Sequence, residues 1–278
     1  MTTTPVALPT YFLSHGGGPW PYMTGPFREA MRPLEASLLQ MRRELGDRPQ
    51  AALVISGHWE AKGFAISSGA RPGMVYDYHG FPEVLYRIRY EAPGSPTLAA
   101  RVQALLAGRG HPARLDADRG FDHGTFSVMK VLYPEADLPV VQLSLDAGLD
   151  PALHLDMGRA LAPLRQEGVL IIGSGLSFHN LRIFGSAEGH APSRRFDGWL
   201  QETVLQSAPQ ERERRLLAWT SAPSARIAHP REDHLLPLMA VVGAAWDEPA
   251  TRTYHQQDLL GGLTVSSFRF GALPAAAA

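Results

Sequence analysis

Short apolar runs rich in β-branched residues alternate with longer stretches of helical period along this chain, which argues for an α/β fold. The first apolar run covers residues 6–13. After a glycine-rich turn, Phe27, Met31, Leu34, Leu38, Met41 and Leu45 follow at spacings of four and three. That is the stripe of one amphipathic helix, stopped by Gly46 and Pro49. Further strands are expected at 51–55, 64–67, 86–90, 139–145, 169–172 and 263–270. Helices are expected after Ser95, a capping residue with Pro96 behind it, and over 125–133. Others run from Asp150 to Gly168, through the polar stretch 193–219, and from Asp233 to Val242 with Pro237 in the first turn or at a kink. The alanine-rich end is expected to fray. No repeat or linker interrupts the pattern, so residues 1–278 read as a single catalytic domain with a core over about 6–270.

Composition removes whole classes of chemistry. The chain has no cysteine, which excludes disulfides, thiolate zinc sites, iron–sulfur clusters and cysteine nucleophiles together. Any metal must therefore be held by nitrogen and oxygen, from 11 histidines and 27 acidic residues. A net charge of −1 gives no surface for nucleic acid. No apolar window is long enough to cross a membrane, and residues 1–5 lack the start of a signal peptide. A cytoplasmic protein is the expectation.

Histidines fall where an α/β sheet builds its sites. Three apolar runs lead straight into small residues followed by a histidine: Ser14-His15-Gly16, Ser56-Gly57-His58 and Gly173-Ser174-Gly175 ahead of His179. Ligands of such sheets bind beyond the carboxyl ends of the strands, so these imidazoles can meet there around a metal. His123 lies between glycines just before a helix, and His229 and His234 precede another. Gly16-Gly17-Gly18 lacks the lysine of a phosphate loop, and Gly173-Ser174-Gly175 lacks the spacing of a nucleophile elbow. His111, His154, His190 and His255 stand in polar or helical surroundings and read as surface residues. Trp20, Tyr22, Trp59, Tyr78 and Phe178 are candidates for an apolar pocket, though the core is the commoner place for such rings.

In order along the chain, Ser14-His15-Gly16, Ser56-Gly57-His58-Trp59, Tyr76-Asp77, Gly80-Phe81-Pro82, Gly120-Phe121-Asp122-His123-Gly124, Ser174-Gly175 with His179-Asn180-Leu181, and Asp233-His234 resemble the class III extradiol dioxygenases. The nearest branch is the 4,5-DOPA extradiol type, related to the catalytic subunit of protocatechuate 4,5-dioxygenase. The resemblance implies an α/β/α sandwich around a mixed central sheet, with the site at strand C-terminal ends. It implies His15, His58 and His234 as metal ligands, His179 as acid/base, and His123 as a contact to the substrate oxygens. The substrates implied are a catechol and O2, with Fe(II) as the metal for activity. The founding members carry glutamate where this chain has His234, and a three-histidine site also accepts Zn²⁺. His79, His229 and Arg182 receive no role; Arg182, three residues after His179, reads equally as a partner for a substrate carboxylate or as an ordinary surface arginine. The alternatives are a zinc-dependent hydrolase and a non-catalytic binding protein on the same fold. Monomer and homodimer both stay open.

Overall fold

A computed structural model describes residues 7–273. Residue 6 of the first apolar run, residues 1–5 and the alanine-rich end expected to fray lie outside the described residues. The strands are β1 (Thr10–Ser14), β2 (Ala51–Ala61), β3 (Phe64–Ser67), β4 (Ala113–Asp116), β5 (Val140–Asp146), β6 (Val169–Gly175), β7 (Ala250–Leu259) and β8 (Leu263–Phe270). They form one sheet of order β4-β3-β5-β2-β6-β1-β8-β7. β5, β2, β6 and β1 make a parallel centre, buried on both faces, which is why their sequences read as continuous apolar runs. β8 adds to β1 antiparallel and β7 to β8. At the other edge β3 meets β5 antiparallel at Ile66 and Leu143, and pairs in parallel with β4. The sheet is therefore mixed, as the resemblance implies.

Helices cover both faces. The main ones are α1 (Pro26–Ala30), α2 (Arg32–Leu45), α3 (Pro96–Gly108), α4 (His123–Leu132), α5 (Pro151–Leu161), α6 (His190–Gln206), α7 (Pro209–Leu217), α8 (Ala225–Ala228) and α9 (Leu236–Ala244). The pleat of β6 separates the layers. Ser174 Oγ donates to Gly124 O of α4 at 2.5 Å on one face, while Gly173 and Gly175 meet the start of α9 on the other. α2 packs beside α4; α5 packs beside α9. Among the described residues no helix is long and apolar enough to cross a membrane.

The differences from expectation have local causes. The helix expected from Phe27 breaks at Met31, because Pro33 starts a new first turn. β2 does not stop at Ile55 but continues through Gly57 and His58. The strand expected over 86–90 does not form. There Tyr78, Tyr76 and Tyr22 donate their hydroxyls to the carbonyls of Leu85, Ile88 and Arg89, which a strand neighbour would otherwise occupy. α5 ends at Leu161 and Pro163 opens a 3-10 turn, so Gly168 is not its terminator. Pro209 divides the polar stretch into α6 and α7, and α9 begins at Leu236, with Pro237 in its first turn.

Two glycines let α5 and α9 touch backbone to backbone. A Cβ on Gly158 would lie 2.0 Å from Ala240 O, and one on Gly243 would lie 2.0 Å from Leu155 O. Neither neighbour is a side chain that can swing away. Gly158→Ala should therefore cost about 1–3 kcal/mol through overpacking despite its better helix propensity, lowering Tm by several degrees. A thermal melt with unchanged or raised Tm would refute this account of the seam.

Candidate metal centre

His15 follows β1 directly. Its strand end is pinned by Ser14 N–H on Ser267 Oγ of β8 (2.9 Å) and His15 N–H on Gly175 O of β6 (3.2 Å). Trp20 Nε1–H closes the following turn by donating to His15 O at 2.8 Å, and a Cβ on Gly16 would strike that indole at 2.6 Å. His58 lies inside β2, at the irregularity where pairing with β5 jumps from Ile55 to Glu60. Such a bulge re-aims a side chain that regular alternation would point elsewhere. His234 comes from the turn before α9. Gly175 has no Cβ to meet His234 O, which it would approach to 2.2 Å, and Leu176 N–H donates to the same carbonyl at 3.1 Å.

These three chain segments converge. His58 Nε2 is 3.3 Å from His15 Nε2 and 3.0 Å from His234 Nε2, and one ring nitrogen from each of the three lies within 4.8 Å of the others. Burial, with the neighbouring histidines, pushes all three well below the ordinary histidine pKa, so they are neutral and keep a lone pair each. Three neutral nitrogens at these separations fit bonds of about 2.1 Å to one ion, the usual length for metal–imidazole contacts.

Carboxylates stand behind the histidines. Asp77 Oδ2 is 3.2 Å from His58 Nδ1, and Asp77 Oδ1 is 2.9 Å from His123 Nδ1 and accepts the His123 backbone N–H at 3.1 Å. Burial alone would raise the Asp77 pKa, but the hydrogen bond from His123 and the two imidazoles outweigh it and leave it lowered. Asp233 Oδ2 lies 3.2 Å from His234 Nδ1 and Oδ1 accepts the His234 N–H at 2.9 Å. Burial pushes Asp233 up to about 6, against the backbone donor and Arg231. An outer carboxylate of this kind fixes the tautomer and orientation of a ligating imidazole.

His123 is the first residue of α4, where Asp122 caps the helix by accepting Thr125 N–H at 3.1 Å. Asp122 is itself fully buried among Ser56, Gln142 and Arg119, at 2.8, 2.6 and 2.8 Å. His179 stacks on His234 with ring centroids 3.4 Å apart and planes 14° apart. Burial lowers its pKa to about 4, helped by His123. A ring nitrogen of His179 also lies within 4.8 Å of one of His234 and of an Asp233 oxygen, so His179 borders the three nitrogens.

The structure brings His15, His58, His123, His179 and His234 to one cavity of about 500 Å³. Of the five aromatic candidates Tyr78 lines it, whereas Trp20, Trp59 and Phe178 are in the core and Tyr22 is half-buried. Arg182 is exposed and off the cavity wall, the surface position of its two readings, because the turn after His179 carries it outward. His154 is buried, not a surface residue. α5 lies on the sheet, and the ring bridges Asp150 O (2.7 Å) and the Asp146 N–H (3.1 Å). Sequence reasoning passed over the roles of Asp77 and Asp233; the second is the immediate neighbour of His234, which was the available signal. His229 is also buried, its Nε2–H donating to Ser177 O at 3.1 Å beneath the loop that carries His179.

Residues 9–266 match the family of the catalytic LigB subunit of aromatic ring-opening dioxygenase. The chain belongs to this family. Among LigB-family relatives, a 4,5-DOPA dioxygenase extradiol from Beta vulgaris is 39% identical over 94% of this chain and 96% of its own length. The dioxygenase tasH of Hapsidospora irregularis is 37% identical over 95% of this chain and 85% of its own. The crystal structure of an uncharacterized Escherichia coli K12 protein, 32% identical, superposes with a TM-score of 0.75, covering 95% of this chain and all of that one. A LigB-family enzyme is a ring-cleaving oxidoreductase with a catalytic metal, a small-molecule substrate and O2.

Because Asp77 backs both His58 and His123, Asp77→Ala should weaken metal retention about 10–100-fold. Metal content after dialysis against a graded chelator measures this. Retention equal to wild type would mean the carboxylate does not orient His58.

Proposed function

We propose that this LigB-family chain cleaves a catechol beside its diol, with His15, His58 and His234 as the metal ligands, His179 as acid/base and His123 as a hydrogen-bonding contact to the substrate oxygens. The observation that carries the reading is three neutral imidazole nitrogens converging at a cavity whose wall holds two further histidines. The native metal we assign is Fe(II), and the compartment the reducing cytoplasm, where Fe(II) persists. Fe(II) bound there supplies the redox chemistry by which O2 adds to the ring; Zn²⁺, which the same nitrogens accept, has none.

The reaction consumes one catechol and one O2, breaks one ring carbon–carbon bond next to the diol, and retains both oxygen atoms in the ring-opened product. The chain's own residues manage position and protons. A cavity of about 500 Å³ has room for a single substituted ring. His179 is neutral, and no ring nitrogen of it has a hydrogen-bond partner among the described residues, so it is free to take a proton from a catechol hydroxyl and return it later. His123 Nδ1 lies 2.9 Å from the Asp77 carboxylate, which favours the proton on that nitrogen; Nε2 is then an acceptor toward a catechol hydroxyl, and donates to a negatively charged oxygen once it has taken a proton.

Anaerobic loading with Fe(II), followed by O2 uptake and absorbance with a panel of catechols, tests the reading. Wild type should consume O2 and form a coloured ring-opened product, and the Zn²⁺-loaded protein should not. His179→Ala should keep its metal and lose at least about 100-fold in kcat. Full turnover by that variant would remove His179 from the mechanism, and hydrolytic turnover by the zinc form would overturn the dioxygenase assignment.

A further inference from the structure

Away from the histidines and their carboxylates, the wall of the catalytic cavity is apolar. Phe27, Phe81, Leu176, Leu181, Phe184 and Leu260 line it, and no lysine or arginine does among the described residues. Phe27 and Phe81 lie against the glycine turn after His15; a Cβ on Gly17 would come 2.9 Å from the Phe27 ring, and one on Gly18 would come 2.8 Å from that of Phe81. Tyr78 also lines the cavity, but its hydroxyl is spent on Leu85 O at 2.5 Å.

The mouth is apolar as well, and held in place. Leu181 is 72% exposed although it lies on a turn fixed at its base: Asn180 Nδ2–H donates to Ile227 O (2.8 Å) and Asn180 Oδ1 accepts the Arg182 N–H (3.2 Å). Leu260 sits at the tip of the β7–β8 hairpin with φ +47, a left-handed backbone that a leucine rarely adopts, just before Gly261 and Gly262. A polar tip would suit such a hairpin in water; a leucine there faces the cavity instead. One exposed leucine beside half-buried Leu260, Phe81 and Phe184 at a single opening makes an apolar surface that an apolar ligand would cover.

The charges present point the same way. Asp77 and Asp233 are the acidic groups on the wall, and each is engaged with a histidine. A carboxylate brought in on a substituent, away from the metal ligands, would lose water, meet no lysine or arginine on the wall and share the cavity with two carboxylates. His79, exposed at the mouth, is the one polar side chain outside the cluster on this wall among the described residues.

We propose that the cavity selects catechols whose ring carries an uncharged, apolar substituent, and discriminates against catechols bearing a carboxylate, free amino-acid catechols included. This rests on the ring-cleavage reading above. The substituent lies along Phe81, Leu181, Phe184 and Leu260, while the diol sits among the histidines.

The test is kcat/KM of the Fe(II)-loaded enzyme, by O2 uptake, for catechol, 4-methyl-, 4-ethyl- and 4-propylcatechol, 3-(3,4-dihydroxyphenyl)propionate and 3,4-dihydroxyphenylalanine. We expect a rise of about 3–4-fold for each added methylene, the value of one buried CH2. The two carboxylates should fall at least 10-fold below propylcatechol. Leu260→Arg, on a surface hairpin, should raise the propionate relative to propylcatechol at least 10-fold, and His79→Leu should leave the wild-type order unchanged. Carboxylate substrates equal to or better than the alkyl series would overturn the selectivity while leaving ring cleavage standing. So would a loss of their turnover confined to His79→Leu. O2 uptake with none of the panel would overturn the ring-cleavage reading itself.

Discussion

The site depends on a place where side chains are missing. On the face of β6 toward α9, Gly173 and Gly175 present bare backbone, and the carbonyls of Pro237 and His234 occupy the space a Cβ would need. The turn before α9 therefore rests on the strand itself, and Leu176 N–H fastens it by a hydrogen bond to His234 O. On the opposite face of the same strand Ser174 holds the first turn of α4, where His123 begins. One short strand thus sets the heights of His234 and His123 together, and the buried parallel pairing on either side of it leaves little freedom to adjust.

Electrostatics then works on what packing has assembled. Several imidazoles share a small buried volume, an arrangement tolerable only while they stay neutral. The compensating negative charge is placed behind the rings rather than between them, on Asp77 and Asp233, each anchored by a backbone N–H of the histidine next to it. Arg231, bound to Glu60, sits 3.9 Å from Asp233 and sets the outer limit of this layer. The polarity of the site is graded outward from nitrogen to carboxylate to guanidinium on that side, and gives way to hydrocarbon on the side where a ligand enters.

Most of the architecture was legible because β1, β5, β6 and β8 are apolar on every residue or on alternate ones, and because proline and glycine punctuate the helices where they should. What escaped has tertiary causes. β4 is half-exposed and β7 alternates weakly, so neither carries a strong period. The 86–90 segment has strand-like alternation, but distant tyrosine hydroxyls took its carbonyls. His154 looked like a surface residue because a helix period does not reveal whether its polar face is covered by a strand end. His15, His58 and His179 stood out by following strands and small residues, His123 and His234 by their places ahead of helices, and all five by resemblance. The stacking of His179 on His234, 55 positions apart, and the double engagement of Asp77 with His58 and His123, 19 and 46 positions away, arise only when the folded segments are laid side by side.

The three converging nitrogens belong to residues separated by 43 and 176 positions, so nothing in the unfolded chain presents them together. An ion captured there binds the native state almost exclusively, and by mass action adds about 2.7 kcal/mol of stability at a free concentration one hundred times its dissociation constant. An ion held by these residues would link folding to metal supply: in a metal-starved cell the same polypeptide would be easier to unfold and exposed to proteolysis for a larger fraction of its life. The abundance of the enzyme, and not only its activity, would then follow the availability of the ion.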